Sequence, residues 1–249
     1  MCTISLITRQ NGYALAMNRD EQLTRVPGLP PAPKIINGSR VLSPSEPGGG
    51  TWIALNVRGV TFALINWYAI TAKVAGETFS RGRVVQTACA AKTSALADAA
   101  LAQLPLPQIN PFRLIGIFPA AREIIEWRWD LQTLVREPHP WKNQQWISSG
   151  FDEPAAQRIR SQTFQEAWQE KNAGGLAWLR RLHRSHAPQP GPFSICMHRA
   201  DAMTVSYTEV VVSPRQASMR YHAGLPCDCV DSRTHKNIYR LALSRAAGS

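Results

Sequence analysis

The chain has 249 residues, a formal net charge of +11 and 44% hydrophobic residues. This length and apolar content suffice for a buried core, and we predict a single domain over residues 1–249. No run approaches the roughly 20 apolar residues of a membrane helix. The N-terminus lacks the charged-then-apolar order of a signal peptide. We therefore expect a soluble cytoplasmic protein with no membrane span.

The positive charge is spread along the chain. Its densest group, Arg180-Arg181-Leu182-His183-Arg184, ends a predicted helix, where cations complement the helix dipole. A nucleic-acid-binding protein would more typically gather its charge in a stripe with a recognisable motif. We predict no nucleic-acid partner, whereas an anionic small molecule is compatible with the charge.

The first third of the chain is rich in strand signals. Residues 3–8 and 13–17 flank Asn11-Gly12, a strong hairpin signal. The Pro- and Gly-rich segment 26–50 is predicted to be a long lid or binding loop. The runs TWIALN and TFALIN predict a second hairpin, joined by Val57-Arg58-Gly59.

Helices and further strands follow. Ala/Leu spacing predicts a helix over 81–104, ended by Pro105 and Pro107. The runs FRLIGIF and EIIEWRWD predict strands, and helices are predicted over 154–170 and 175–186. The runs FSICMH, MTVSYTEVVVS and SMRYHA predict strands again, before a closing helix over 233–245. This order favours an antiparallel α+β layered domain over a βαβ fold.

The five cysteines are an odd number without small-scaffold spacing, which argues against a disulfide framework. Cys89 lies in ACAAKTSALA and is interpreted as a small core residue of a helix. Cys227 and Cys229, with His222 and His235 nearby, could bind a metal. Zinc sites generally use C-x₂-C pairs, however, so we favour a plain loop and predict no metal.

Counting outward from the first hairpin turn brings its two ends together. A two-residue turn at Asn11-Gly12 places Cys2 opposite Glu21 and Thr3 opposite Asp20. Arg19 then lies diagonally from Cys2 on the same face, within reach of its side chain. A bulge would shift this register by one residue.

That meeting point has a chemical use. If Met1 is removed, Cys2 carries a thiol and an α-amine of pKa about 7.7–8.0, which can act as its general base. A neighbouring Arg19 would favour the thiolate. The alternative is that Cys2 is a small hydrophobe and that the charges cap the hairpin in water, and the residues alone leave both open.

Three runs resemble a known family: MCTISLI at the start, NRDE from Asn18 to Glu21, and GGTWIALNVRGVTFALIN over 49–66. They are similar to the NRDE family, that of the transport and Golgi organisation protein. Weaker similarities are Ser80-Arg81-Gly82, Ser148-Ser149-Gly150 and the run DAMTVS. The resemblance covers most of the chain, and its specific part lies in the first 82 residues.

The resemblance implies a branch of the N-terminal nucleophile hydrolases, with a four-layer αββα sandwich of antiparallel sheets. Penicillin V acylase, bile-salt hydrolase and acid ceramidase in that superfamily cleave amides with an N-terminal cysteine. By resemblance, Cys2 is the nucleophile, Arg19 and Asp20 are its neighbours, and Asn66 is a candidate oxyanion donor. Because adjacent strand residues face opposite ways, Glu21 competes with Asp20 for the acid's place. Asn18 completes the candidate catalytic set.

Two other functions stay open, because the family is also associated with secretory-pathway organisation, haem trafficking and lipid or acyl-CoA metabolism. A non-enzymatic carrier of haem or an acyl lipid would use Trp52, Trp67 and Tyr68 as an apolar rim, with arginines meeting carboxylates. We assign substrate binding to Trp52, Trp67 and Arg81. No C-x-x-C-H motif is present, and we predict no cofactor, with haem as an alternative ligand. His139, His198 and His222 are the axial ligands considered. The third hypothesis is an interaction module without ligand chemistry.

Overall fold

A computed structural model describes residues 1–228 and 238–244, which form two antiparallel sheets. The first sheet has the order β10-β1-β2-β11-β12-β13. Its strands are β1 (Cys2–Arg9), β2 (Gly12–Gln22), β10 (Gln144–Ser148), β11 (Ala202–Val212), β12 (Gln216–Ala223) and β13 (Ile238–Ala242). The second sheet runs in chain order from β3 to β9. Its strands are β3 (Leu29–Ile36), β4 (Ser39–Ser45), β5 (Ile53–Asn56), β6 (Thr61–Asn66), β7 (Phe112–Phe118), β8 (Glu123–Trp129) and β9 (Leu134–His139).

Within residues 1–228 and 238–244, four α-helices cover the outer faces of the two sheets. Helices α1 (Arg81–Ala88) and α2 (Ser94–Leu101) pack on the second sheet, and α3 (Glu153–Ala167) and α4 (Leu176–Arg184) pack on the first. None of the helices in the described part of the chain is long and apolar enough to cross a bilayer. The predicted αββα sandwich is confirmed.

Strand alternation produces the core between the sheets. Ile4 and Leu6 of β1 and Leu15 and Met17 of β2 point inward, where they meet side chains such as Ile53 of the second sheet. The intervening residues point to the helices. This period of two decides which residues at the strand ends share a face.

Both predicted hairpins and helices α3 and α4 are confirmed, but segment 26–50 is not a loop. It forms the hairpin β3–β4 at the edge of the second sheet. Prolines are tolerated in β3 because an edge strand leaves one row of backbone groups unpaired, so a missing N–H costs little there.

The predicted helix over 81–104 is interrupted. Helix α1 ends at Ala88, buried Cys89 caps it, and Thr93 restarts the helix by accepting a hydrogen bond from the Leu96 N–H. Side-chain caps of this kind separate two short helices where apolar spacing alone predicts one.

Two predictions near the C-terminus are wrong. FSICMH forms no strand, because the Ser194 hydroxyl bonds the Gly191 and Cys196 carbonyls and offers the backbone a local alternative to a ladder. Within the predicted closing helix, Ile238–Ala242 is instead the strand β13, paired with β12. Residues 233–237 and 245 of that predicted helix, among them His235, lie outside the described residues, as does Cys229.

Candidate active site at the start of the first strand

The first hairpin has a register two residues away from the predicted one. Cys2 lies opposite Arg19 and Thr3 opposite Asn18, because the turn residues are Gln10 and Asn11. Gly12 belongs to β2, with φ +137, and a Cβ there would lie 2.1 Å from the Val212 carbonyl oxygen. The pairing of Cys2 with Glu21 and of Thr3 with Asp20 was therefore wrong. A shift of two keeps every side chain on its predicted face.

A cleft opens beside Cys2, at the end of the space between the sheets. Its first cavity measures about 330 Å³, and its lining includes these predicted site residues: Cys2, Arg19, Asp20, Glu21, Trp52, Asn66 and Arg81. An adjoining cavity of about 440 Å³ shares Asn66 and Arg81 and extends along Trp67 and Tyr68. The structure thus gathers residues that are up to 79 positions apart.

Arg19 is held from three sides. Its Nη2 atom donates to Glu21 Oε2 at 3.1 Å and to Glu46 Oε1 at 2.9 Å, and its guanidinium lies 4.5 Å from the centre of the Trp52 ring. Arg25 also pairs with both glutamates. Glu21 therefore stands on the Cys2 face with Arg19, but its carboxylate is engaged by the two arginines.

Asp20 faces the opposite way, towards α3. Its carboxylate accepts hydrogen bonds from Arg160 Nη1 at 3.2 Å and from Thr204 Oγ1 at 2.7 Å, and both members of the ion pair have fully buried side chains. Arg160 also donates to Thr3 Oγ1 at 2.7 Å. Asp20 therefore reaches the cleft only through its backbone, and its side chain holds α3 to the sheet.

Asn18 is also remote from the cleft. Its Nδ2 donates to the carbonyls of His183 and Ile195 at 2.9 and 2.8 Å, and its Oδ1 lies 3.0 Å from His183 Nδ1. The asparagine joins β2 to α4 and to the segment that follows it. The structure therefore divides the quartet Asn18-Arg19-Asp20-Glu21, with Arg19 and Glu21 at the cleft and Asn18 and the Asp20 carboxylate beneath it.

Asn66 and Arg81 stand on the far wall of the cleft. Asn66 Nδ2 donates to Tyr68 Oη at 2.7 Å, which leaves a second N–H on the same nitrogen. Arg81, the first residue of α1, donates to the Pro111 carbonyl at 3.3 Å. Burial lowers the pKa of its guanidinium, and Arg25 adds to this effect, while Tyr68, Glu21 and Cys2 oppose it.

The pKa of the Cys2 thiol lies above its ordinary value while Met1 is attached. Burial raises the pKa of Cys2, the N-terminal amine and Arg19 lower it, Asp20 raises it, and the net direction is upward. Arg19 thus favours the thiolate, as predicted, but burial outweighs its effect while Met1 is attached. The Cys2 backbone N–H donates to Ser148 Oγ at 3.1 Å, and the Met1 ammonium donates to the Asp20 carbonyl at 3.0 Å.

Sequence reasoning missed Arg160, Glu46 and Ser148. Arg160 and Ser148 lie 140 and 146 residues from the strand residues that they contact. Ser148 was noted only as part of a weak family similarity. One sequence feature could have pointed to Glu46. It stands just before the Gly48-Gly49-Gly50 run, where the chain turns beside the cleft.

The fold defines a structural class, the αββα sandwich of the kind found in N-terminal nucleophile hydrolases. Penicillin V acylase from Agrobacterium tumefaciens is similar to it with a TM-score of 0.52 and 11% sequence identity, over 90% of this chain and 83% of the acylase. A mutant of the conjugated bile acid hydrolase from Clostridium perfringens has a TM-score of 0.53 and 10% identity, over 97% of this chain and 92% of the hydrolase.

Residues 1–128 match the family model described as Transport and Golgi organisation 2, and the chain belongs to that family. The resemblance drawn from MCTISLI and NRDE is confirmed. No curated protein sequence matches the chain significantly.

Proposed function

We propose that the protein hydrolyses a C–N amide bond of a small acyl substrate, with Cys2 as the nucleophile after removal of Met1. The observation that carries the proposal is the position of Cys2 in the lining of the cleft, with Arg19, Asn66 and Arg81 around it. If Cys2 were only a small apolar core residue, these polar side chains around its thiol would have no explanation. The acylase-like fold adds support at the level of architecture.

Removal of Met1 is the activating step. An amide nitrogen cannot take a proton from the thiol, whereas a free Cys2 amine with a pKa of about 7.7–8.0 can do so near neutral pH. Ser148 Oγ, already 3.1 Å from this nitrogen, would position the amine. Because Met1 lines the cleft, its loss would also enlarge the cavity beside the thiol.

The reaction then follows from the residues present. The amine takes the thiol proton, and the Cys2 sulfur attacks the acyl carbon to form a tetrahedral oxyanion. The second N–H of Asn66 Nδ2 donates to that oxygen. The C–N bond breaks as the ammonium returns its proton to the leaving amine. Water next attacks the thioester, again with the amine as base, and releases the carboxylic acid and the thiol.

The lining also favours a class of substrate. Arg19 is paired with two glutamates, but Arg81 is on the opposite wall, near the aromatic residues Trp67 and Tyr68. An acyl group with a flat or apolar body and an anionic substituent would satisfy both features. Substrate binding at Trp67 and Arg81 is accordingly part of the proposal, and Trp52 acts by supporting Arg19.

The test combines mass spectrometry with an acylating probe. Intact-mass analysis of the native protein should show Met1 absent, and a cysteine-directed acyl probe should add one label at Cys2. A Cys2→Ala variant should lose both labelling and amide hydrolysis, and Cys89→Ser, which alters a buried cysteine outside the cleft, should keep them. Retention of Met1, or undiminished turnover in Cys2→Ala, would refute the mechanism.

A second candidate is a non-enzymatic carrier of an acyl lipid or haem. The adjoining cavity favours it, because Trp67, Tyr68 and Ile70 meet Lys73 and Arg199 there, an arrangement suited to an apolar ligand with carboxylates. No histidine among the described residues lines either cavity. A carrier would bind its ligand equally well in wild-type and Cys2→Ala protein, without turnover. Haem titration that leaves the Soret band unshifted would exclude the haem form.

A further inference from the structure

A second cluster of reactive side chains lies at the other side of β2, away from the cleft. His186 follows α4, Cys196 and His198 belong to the segment that leads into β11, and Cys227 lies in the 3-10 turn Pro226–Asp228 after β12. One ligand atom from each residue lies within 4.8 Å of all the others. Cys196 is buried and the other three residues are half-buried.

Hydrogen bonding does not account for this convergence. His198 Nε2 lies 3.1 Å from His186 Nε2, 3.7 Å from Cys196 Sγ and 3.6 Å from Cys227 Sγ. An imidazole nitrogen has either one N–H or one lone pair, so it satisfies one of these three neighbours at most. Four ligand atoms directed at one another are satisfied together by a cation between them.

The separations correspond to the edges of a zinc tetrahedron. Zn–S bonds of about 2.3 Å and Zn–N bonds of about 2.05 Å at tetrahedral angles give S···N edges of about 3.6 Å and an N···N edge of about 3.3 Å. The observed S···N separations at His198 are 3.7 and 3.6 Å, and the N···N separation is 3.1 Å. An octahedral oxygen-ligand cation would need a different donor set.

We propose that His186, Cys196, His198 and Cys227 form a structural Zn²⁺ site. Two thiolates and two neutral imidazoles complete a four-coordinate shell, which leaves no open position for catalysis. The ion ties the segment between α4 and β11 to the turn at Pro226–Asp228. The site is independent of the hydrolase proposal and uses none of its residues.

The zinc site would stabilise the segment that holds the Asp20 carboxylate on the side of β2 away from the cleft. Between its ligands Cys196 and His198, the Met197 N–H donates to Thr204 Oγ1 at 2.8 Å, and Thr204 Oγ1 donates to Asp20 at 2.7 Å. The metal therefore holds a segment on which the buried Asp20 carboxylate depends. Its loss would loosen that segment and lower stability, without removing any residue of the cleft.

The predicted absence of metal rested on other residues around Cys227. His222 was one of the metal ligands considered there, but it is not part of this cluster. Its Nε2 instead lies 3.1 Å from the Leu225 carbonyl oxygen. Apart from Cys196 and His198, which are two residues apart, the converging ligands lie 10 to 41 residues from one another in the sequence. Only the fold reveals such a set.

Elemental analysis tests the site directly. The full chain, purified without a histidine tag or chelator, should contain zinc at one equivalent per chain. Cys196→Ser and His186→Gln should each lose it, and the matched variants Cys89→Ser and His222→Gln should retain it. Substitution with Co²⁺ should give the intense visible d–d bands of a tetrahedral site and a thiolate charge-transfer band.

Three results would overturn the proposal. The first is purified wild-type protein that carries no zinc, takes up none when its thiols are reduced, and gives no tetrahedral Co²⁺ spectrum. The second is a Cys196–Cys227 disulfide in protein kept under reducing conditions. The third is full zinc content in both ligand variants. If a ligand variant does not fold, the Co²⁺ spectrum of the wild-type chain decides alone.

Discussion

The buried histidine beneath the quartet should make the stability of this protein depend on pH. His183 has no exposed side chain, and burial, assisted by the charge of Arg160, lowers its pKa from 6.5 to about 3. Asn18 Nδ2 donates to two carbonyls, so its Oδ1 must accept from His183 Nδ1–H. The other ring nitrogen then accepts from Ser5 Oγ, which itself receives a hydrogen bond from Gln145. The folded chain thus holds the neutral imidazole.

The magnitude follows from linkage. Between the folded and unfolded pKa values of His183 the unfolded chain binds one more proton, so the free energy of unfolding falls as the pH is lowered. The fall begins below the unfolded value of 6.5 and approaches about 1.4 kcal/mol per pH unit. From about pH 7.5 to about pH 5, this one group should cost about 2 kcal/mol.

Urea unfolding at these two pH values is the assay, with His183→Gln as the variant and His222→Gln as the control. His183→Gln is expected to be less stable at neutral pH but to lose about 2 kcal/mol less than wild type on acidification. His222→Gln should keep the wild-type dependence, because its half-buried ring bonds the Leu225 carbonyl and takes no part in the Asn18–His183–Ser5 network. An unaltered pH dependence in His183→Gln would show that this ring is not the titrating group.

Two further perturbations concern the support of the site. Asp20→Asn should cost about 3–5 kcal/mol in urea unfolding, because it leaves Arg160 buried without its counter-charge, whereas Asp201→Asn at an exposed pair should cost under about 1 kcal/mol. Similar losses in the two would contradict the buried pairing. Gly82→Ala should lower stability by about 1–3 kcal/mol, because its Cβ would lie 2.8 Å from the backbone that precedes β5. Gly48→Ala, with open space around it, is the control, and equal melting temperatures for the two would disprove the close contact.

Much of the fold could be predicted because its signals are local. Alternating apolar residues identified both β1–β2 and β5–β6, and apolar spacing identified α3 and α4. Local signals failed where a neighbour in space decides the outcome. The prolines of β3 predicted a loop, because the sequence does not show that this strand lies at the edge of its sheet, where prolines are tolerated.

The hairpin register shows the same limit at finer scale. Asn11-Gly12 is a strong turn signal, but Gly12 is needed inside β2, where β11 approaches too closely for a Cβ. The turn lies one residue earlier than predicted, so each residue of β1 faces a residue of β2 two positions before the predicted one. The face assignment of Cys2, Arg19 and Glu21 survived, since it depends only on the alternation within each strand.

The sequence by itself therefore determined the family, the layered fold and the nearness of Cys2 to Arg19. The tertiary structure alone decided that Asp20 belongs to a buried pair with Arg160, that Glu46 lines the cleft and Ser148 bonds the Cys2 backbone, and that four side chains including His198 converge. The physical reason is the range of the interactions. Periodicity and turn preference act over a few residues, whereas packing brings together buried charges 140 residues apart and the His186 and Cys227 side chains 41 residues apart.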